Sequence, residues 1–270
     1  MKITATGIDK QFGRRGKAGK KALDDVSVSV EQGEFVAVVG ESGSGKSTLA
    51  RVILGLIGAD AGQVLYDDVD IAKLSNREMR AQRLRVQCIL QDPSGALNPR
   101  KTVATVLAEV IKLHRIANDA EEVRRASIEA LEMVDLKPAE VFLTRYPHQL
   151  SGGQRQRVLI ARALVLKPDI IIADEAVSAL DVSVKAAITN LLKDLGDELG
   201  LGYLFITHDL PVVKKVADRV FVMKDGRIVE SGETRQLFES PETDYTRELI
   251  AAAPSPDPAV SRQWLATIRA

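Results

Sequence analysis

The chain has 270 residues, of which 45% are hydrophobic and 27% are charged, so it can bury a core as one large α/β domain or as a domain with a subdomain. Lysine and arginine together number 37, and so do aspartate and glutamate, which leaves no global basic field to attract nucleic acid or anionic lipid. The single cysteine excludes an intramolecular disulfide and a cysteine-ligated metal site, and it favours a reducing compartment.

The first thirty residues predict two strands joined by a basic turn. Residues 3–9 and 22–30 alternate partially between apolar and polar side chains, as edge strands do. The basic, glycine-rich segment 12–21 predicts a surface turn with solvated charges, and its Phe12 either packs in the core or stacks on a purine base. Residues 1–6 lack the apolar segment of a signal peptide, and no apolar stretch is long enough to span a bilayer, so we expect a partner to provide any membrane attachment.

A phosphate-binding loop is predicted at 40–47, between a buried strand at 35–39 and a helix at 48–54. Its sequence is Gly-Glu-Ser-Gly-Ser-Gly-Lys-Ser. The glycines let backbone N–H groups surround phosphate oxygens, and the helix turns its positive dipole end towards them. Lys46 would then reach the β and γ phosphate oxygens, and the Ser47 hydroxyl would ligate Mg²⁺. A chance glycine-rich loop is the alternative.

The next elements are a strand at 63–66, a polar helix at 75–83 and a strand at 86–90. Cys88 lies in the last of these strands and is interpreted as a small core residue, not as a reactive thiol. The same strand ends at Gln91, at the position where open α/β sheets place side chains that face a ligand.

The pattern then changes to helices, at 103–115, 120–134, 138–143 and 153–166. Such a block between strands of an α/β sheet predicts an inserted helical subdomain. Just before its last helix, Ser151 is a candidate N-cap, and the following two glycines leave the first N–H groups of the helix accessible. The residues alone leave open an ordinary helix start and a second anion site.

A buried parallel strand is predicted at 169–175, and it ends in two carboxylates. In a nucleotide site Asp174 would hold the Mg²⁺ shell and Glu175 would polarise the attacking water. A structural pair of exposed acids is the alternative. A later strand at 203–207 delivers His208 to the same sheet edge, where we expect it to lie near the γ phosphate.

The remaining elements follow in order: a helix capped by 178–181 and running to about Leu195, a hairpin of strands 219–224 and 227–230 turning at Asp225-Gly226, and short helices from 231. Residues 253–258 predict a linker, and the end that contains Trp264 either docks or stays loose.

At this point the sequence resembles the nucleotide-binding subunit of ABC transporters over nearly its whole length. Six motifs in family order carry the resemblance: the P-loop 40–47, the Q-loop Gln91, the signature Leu150-Ser151-Gly152-Gly153-Gln154, the Walker B strand 170–175, the D-loop 178–181 and the switch His208. The resemblance implies a P-loop NTPase of the ABC ATPase type, α/β, with a RecA-like core, an antiparallel β subdomain and an inserted α-helical subdomain. It places the ATPase domain at 1–251, the helical subdomain at about 92–165 and a C-terminal tail at 252–270.

The resemblance also implies ATP and Mg²⁺ as cofactors and a role for each motif residue. The implied nucleotide-binding residues are Phe12, Gly40, Ser42, Gly43, Ser44, Gly45, Lys46, Ser47, Thr48, Gln91, Ser151, Gly152, Gly153, Gln154 and Asp174. The implied metal ligands are Ser47, Gln91 and Asp174, and the implied catalytic residues are Glu175, His208 and Lys46. Two subunits would pack head to tail, so that the signature of one closes over the γ phosphate held by the other.

Three further segments, 91–100, 145–149 and 244–249, resemble the oligopeptide, dipeptide and nickel importers. Two features depart from the usual pattern. Ala176-Val177 replaces the usual Pro-Thr of the family, a variant that resembles some nickel-import and peptide members, and with Cys88 as its one cysteine this sequence cannot form the C-terminal cysteine-rich cluster of several relatives. The branch implies a peripheral ATPase at the cytoplasmic face of the inner membrane that drives uptake of small peptides or nickel chelates. Its partners would be two membrane-spanning permease subunits, a second ATPase that is identical or homologous, and indirectly an extracytoplasmic substrate-binding protein, with no nucleic acid.

Two other functions compete with import. A non-transport ABC ATPase that acts on nucleic acid or ribosomes lacks support from the balanced charge, and it usually has tandem ATPase domains, a long coiled-coil insertion or zinc cysteines. A P-loop kinase for small molecules leaves Ser151 to Gln154 unexplained.

Overall fold

The computed structural model of the chain describes residues 1–13, 19–89, 93–178 and 180–253. Gln91, Trp264 and most of the predicted linker lie outside these described residues. The strands are β1 (Lys2–Phe12), β2 (Lys20–Glu31), β3 (Phe35–Val39), β4 (Ala61–Tyr66), β5 (Val69–Asp70), β6 (Val86–Ile89), β7 (Ile170–Asp174), β8 (Gly202–Thr207), β9 (Arg219–Lys224) and β10 (Arg227–Glu233). The helices are α1 (Lys46–Ile53), α2 (Asn76–Arg85), α3 (Pro93–Ala96), α4 (Val103–Leu113), α5 (Ala120–Met133), α6 (Ala139–Leu143), α7 (Gly152–Leu164), α8 (Val182–Leu199), α9 (Leu210–Val216), α10 (Thr234–Glu239) and α11 (Asp244–Ala252).

The strands form two sheets. The larger has six strands in the order β10-β9-β3-β8-β7-β6, and all of its neighbouring strands are parallel except β10 and β9. The smaller sheet is antiparallel and has the order β2-β1-β4-β5. In the larger sheet β3, β7 and β8 are adjacent and point the same way, so the residues that follow them meet at one edge.

The parallel sheet separates two apolar cores because side chains alternate between its faces. On β7, Ile171 and Ala173 pack with the helical block that contains α4, α5 and α7. Ile170 and Ile172 face the other way and pack with the antiparallel sheet and α1. Burial on both faces explains why β3 and β7 are fully buried and why their residues are apolar, apart from Asp174 at the end of β7.

The predicted helical block is confirmed as α4, α5, α6 and α7, which follow one another between β6 and β7. α7 contacts each of α3, α4 and α5, so the block packs as one layer of helices against the sheet.

Several boundaries differ from the prediction. β1 reaches Phe12 and β2 begins at Lys20, and these two residues pair with each other, so both strands extend into the segment 12–21 that was predicted as a turn. α8 continues to Leu199 instead of about Leu195 and ends at Gly200, whose φ of 66° supplies the left-handed helix stop. The predicted cap at 178–181 contributes no side-chain hydrogen bond from the N-cap residue Asp181.

Three details of the fold were not expected. β5 is a two-residue strand, and α9 begins at Leu210 directly after the switch segment, with the Asp209 carboxylate accepting from the N–H of Val212. Cys88 is half-buried and not fully enclosed, and burial raises the pKa of its thiol.

Candidate nucleotide-binding site

The phosphate loop connects β3 to α1 and is pressed between two other strands. Gly40 has φ 152° and Gly45 has φ 112°, values that residues with a side chain rarely adopt. A Cβ atom on Gly40 would lie 2.1 Å from the carbonyl oxygen of Met223, and one on Gly45 would lie 2.4 Å from that of Ala22. The loop therefore touches the backbones of β9 and β2 at positions where only glycine fits.

Lys46 is the first residue of α1 and is 4% exposed. Its Nζ donates to the carbonyl oxygens of Gly40 and Glu41, each at 2.7 Å. Burial lowers the pKa of Lys46, while the carboxylates of Glu175 and Asp174 act in the opposite direction. A buried ammonium group in a glycine-rich loop at a helix N-terminus fits the phosphates of a nucleotide. The phosphates are anionic and would bind the ammonium group more strongly than the neutral loop carbonyls do.

The loop is joined to β7 by a direct contact. The Ser47 hydroxyl donates a 3.0 Å hydrogen bond to Oδ1 of Asp174, which is 7% exposed. Burial raises the pKa of Asp174, and the hydrogen bond from Ser47 acts against this rise. The described residues contain no group of three or more His, Cys, Asp or Glu side chains that could hold a metal ion. Two protein oxygens fit Mg²⁺ here, because this ion usually completes its shell with phosphates and waters.

Glu175 and His208 come together beside this pair. His208 Nδ1 lies 3.6 Å from Oε1 of Glu175, and the His208 side chain is 55% exposed while that of Glu175 is 17% exposed. The backbone N–H of Glu175 donates to the carbonyl oxygen of Ile206 at 2.8 Å, and Glu175 has φ 48°. This sparsely populated backbone conformation stands directly after the end of β7.

The signature segment forms the start of α7. The Ser151 hydroxyl accepts from the N–H of Gln154 at 3.2 Å, and Oε1 of Gln154 accepts from the N–H of Ser151 at 3.0 Å. These bonds satisfy two donors at the helix start, and among the described residues no hydrogen-bond acceptor is recorded for the N–H groups of Gly152 and Gly153. Gly152 and Gly153 face Leu180 and Val184, so the signature packs against the beginning of α8.

The structure places the other predicted site residues as follows. Ser44 is buried in the loop, Ser42 and Gly43 are exposed at its outer turn, and Thr48 is half-buried in α1. Phe12 is 50% exposed at the end of β1, with Lys10 Nζ 5.9 Å from its ring centroid. Gln91 lies outside the described residues.

One contact at the site was not found by sequence reasoning. The hydroxyl oxygen of Tyr245, on α11, accepts a 3.3 Å hydrogen bond from the N–H of Glu41, the second residue of the phosphate loop. The two residues are 204 positions apart, and a tyrosine in a short amphipathic helix carries no local signal for such a contact.

Across the part of the chain that the structure describes, no helix combines the length and the apolar character needed to cross a membrane.

A compact polar site lies at one edge of the parallel sheet, and it consists of Lys46, Ser47, Asp174, Glu175 and His208. The fold and this site define the class of P-loop NTPases, as the sequence predicted.

Comparison with known proteins narrows the class. The sequence model of the ABC transporter family matches residues 23–178, which is more than half of the chain. The protein belongs to the ABC transporter family, and it is an ABC ATPase.

Three similar proteins represent its relatives. The putative peptide import ATP-binding protein of Brucella ovis is 50% identical over 256 residues, which is 95% of this chain and 80% of that protein. The probable peptide ABC transporter ATP-binding protein y4tS of Sinorhizobium fredii is 50% identical over 242 residues, 90% of this chain and 68% of that protein. The solved dimeric structure of the ATP-binding cassette MJ0796 in a post-hydrolysis state, bound to ADP and Pi, aligns with a TM-score of 0.74 at 34% identity and covers 86% of this chain and 99% of that one.

Proposed function

We propose that the protein is the ATP-hydrolysing subunit of an importer for small peptides, acting with two membrane-spanning permease subunits at the cytoplasmic face of the inner membrane. The names of the Brucella and Sinorhizobium relatives support a peptide cargo over the nickel chelates that the sequence resemblance also allows. In this proposal residues 1–251 form the ATPase domain, with the helical subdomain at about 92–165, and residues 252–270 form a tail.

The contact between Ser47 and Asp174 is the observation that carries the ATPase part of the proposal. Lys46 and the backbone N–H groups of the loop would hold the β and γ phosphates, and Phe12 would stack on adenine. Ser47 and Asp174, together with Gln91, would hold Mg²⁺, which when bound neutralises charge on the phosphates. The residues present fit both the phosphates of ATP and the Mg²⁺ ion.

Glu175 and His208 have separate tasks in this scheme. The Glu175 carboxylate accepts a proton from the attacking water, which it can do because it stands at the same edge as Lys46 and Asp174. In this scheme His208 contacts the γ phosphate and orients Glu175, a role supported by its distance of 3.6 Å from that carboxylate and by its greater exposure.

The site is proposed to be complete only when a second ATPase subunit, identical or homologous, adds its signature segment. Two observations support this arrangement. Within this chain Gly152 and Gly153 contact Leu180 and Val184 rather than the phosphate loop, and the similar MJ0796 cassette is described as dimeric with ADP and Pi. The N–H groups at the start of α7 then suit a phosphate that the partner holds.

The transport proposal is tested by purifying the full chain with its membrane partners. We expect co-purification with two membrane proteins and ATP-dependent accumulation of a radiolabelled peptide in vesicles. The Glu175→Gln variant should join the same complex, bind ATP and fail to transport. Hydrolysis that DNA or ribosomes stimulate, without membrane partners, would support the nucleic acid alternative and contradict the proposal.

A further inference from the structure

The C-terminal helix α11 reaches the phosphate loop through a buried tyrosine. Tyr245 is 8% exposed and lies in an apolar cluster with Val39 and Val222. Lys224 Nζ lies 4.5 Å from the centroid of its ring. Since the ring is enclosed by these neighbours, its hydroxyl oxygen has a fixed position, from which it accepts the N–H of Glu41 at 3.3 Å.

This hydrogen bond acts on a peptide group that also contacts Lys46. The N–H of Glu41 and the carbonyl of Gly40 belong to the same peptide bond, which is trans, so the two groups point in opposite directions. The Gly40 carbonyl accepts from Lys46 Nζ at 2.7 Å. The rigid Gly40–Glu41 peptide group is therefore held at one edge by the Tyr245 hydroxyl and at the opposite edge by the Lys46 ammonium group.

Gly40 cannot hold this plane by itself. Glycine has no Cβ atom to limit rotation about its backbone bonds, and the φ of 152° at Gly40 is a value that other residues rarely adopt. A rotation of the peptide would remove its carbonyl from Lys46 and would turn the N–H of Glu41 away from α11. The bond to Tyr245 opposes that rotation from outside the loop.

The start of α11 is itself anchored to the sheet. The carboxylate of Glu230, on β10, accepts hydrogen bonds from the N–H of Glu242 at 2.9 Å, from the N–H of Thr243 at 3.0 Å and from the Thr243 hydroxyl at 2.9 Å. Thr243 is also the N-cap of α11, because its hydroxyl accepts the N–H of Thr246 at 3.1 Å. These bonds fix Glu242 and Thr243, which lie three and two residues before Tyr245 on the chain.

We propose that Tyr245 is a positioning residue for ATP binding: it locks the Gly40–Glu41 peptide so that the phosphate loop keeps Lys46 in place for the phosphates. The inference rests on the proposed role of Lys46. Its physical content is preorganisation, since an ordered loop has less conformational freedom to lose when the nucleotide binds.

The test compares two tyrosine-to-phenylalanine variants of the full chain. Tyr245→Phe keeps the ring and removes the hydroxyl that faces the loop. Tyr66→Phe is the matched control: the Tyr66 hydroxyl is also buried and donates to the carbonyl oxygen of Ile53 at 2.8 Å, but this contact lies at the far end of α1. Both variants lose one hydrogen bond, so both are expected to lose some thermal stability.

Only Tyr245→Phe should change ATP binding. Loss of one hydrogen bond should raise the KM for ATP about three- to tenfold and leave kcat nearly unchanged, because the effect is on binding. The Kd for ATP, measured by displacement of a fluorescent ATP analogue, should rise by the same factor. In nucleotide-free protein, amide exchange measured by NMR should become faster at Glu41 in Tyr245→Phe and stay unchanged there in Tyr66→Phe.

Unchanged KM together with unchanged exchange at Glu41 would overturn the inference, and so would an equal rise in KM in both variants. If the unaltered protein failed to bind ATP, the proposed function would fall. The exchange measurement would still decide whether Tyr245 holds the loop, so the two failures are distinguishable.

Discussion

The hydroxyl of Ser47 donates to the carboxylate of Asp174 across 127 residues of sequence, and this single bond brings the phosphate loop and β7 into one site. The two residues belong to segments that a sequence pattern recognises separately. Their contact shows that the loop after β3 and the end of β7 share one edge of the parallel sheet, two strands apart.

Asp174 should strengthen nucleotide binding but lower the stability of the nucleotide-free protein. Burial raises its pKa, so the folded protein binds this proton more tightly than the unfolded chain does, and the stability from this group falls as pH rises above the ordinary aspartate range. We expect Asp174→Asn to raise the thermal midpoint of the nucleotide-free protein at pH 7. The gain should shrink as pH falls through the range above the ordinary aspartate pKa and vanish well below it, at about pH 3, where Asp174 is neutral in both the folded and the unfolded state.

The same variant should lose the help of Mg²⁺ in ATP binding. The gain in ATP affinity with Mg²⁺ over EDTA should be clearly smaller in Asp174→Asn than in the unaltered protein, because the variant lacks one of the proposed metal ligands. Calorimetric titration and a melting series at several pH values measure both effects. A lower midpoint at pH 7 would contradict the stated cost of the buried carboxylate.

Glu175→Gln should lower kcat for ATP hydrolysis by at least about a hundredfold, because it removes the general base and keeps the shape of the side chain. ATP affinity should be retained. Steady-state hydrolysis and equilibrium binding on the same preparation measure the two effects. Glu132→Gln, an exposed change on α5, serves as control, and a kcat in Glu175→Gln close to that of the control would remove Glu175 from the reaction.

The glycines of the loop should differ in what they contribute to folding. Gly45→Ala places a Cβ against the carbonyl oxygen of Ala22 in a left-handed backbone, which should lower the free energy of unfolding by at least about 2 kcal/mol. Gly43→Ala meets no atom within 4 Å and should lose only about 1 kcal/mol from its φ of 82°. Gly58→Ala, which is free of both constraints, should change little. Urea unfolding gives all three values, and equal losses would show that the close contact does not matter.

The proposal that each ATP site is formed by two subunits can be tested by mixing two inactive variants. Lys46→Ala removes the phosphate contact, and Gly152→Asp adds a negative charge that repels phosphate while remaining compatible with a helix start. Each variant alone should be inactive, but a mixture should hydrolyse ATP, because a mixed dimer has one site with an intact Lys46 and an intact signature. No recovery in mixtures that demonstrably form dimers would mean that each chain carries its own complete site.

Phe12 should bind the base without supporting the fold. Its ring is 50% exposed, so Phe12→Ala should leave thermal stability nearly unchanged. Loss of base stacking, which contributes on the order of 1–3 kcal/mol, predicts ATP binding weakened roughly tenfold or more, and Phe12→Trp should keep it. A fall in stability without a change in affinity would place the ring in the core instead.

The parts of the site that lie within one local pattern were predictable. Lys46, Ser47, Asp174, Glu175 and His208 all follow apolar strands, and parallel strands deliver such residues to one edge. The order of the strands in the sheet and the partners of the loop were not predictable in this way. Ala22 and Met223, which press on the loop, are ordinary strand residues whose only special feature is their position in the folded molecule.

Short elements were missed for a related reason. β5 has two residues and α9 has seven, too few for hydrophobic periodicity to accumulate a signal. In α9 the signal was present in Asp209 as N-cap and in the proline just after the helix start. The contact of Tyr245 with Glu41 has no counterpart in local sequence, because it depends on how α11 packs against the sheet.

Cys88 has a practical consequence for watching this protein work. It is the only thiol in 270 residues, and its raised pKa keeps it in the slowly reacting protonated form near neutral pH. Cysteines introduced on exposed surfaces would therefore take up dyes or spin labels far faster than the native residue does. Distances between such probes on two molecules can then report opening and closing in real time, against a nearly silent background.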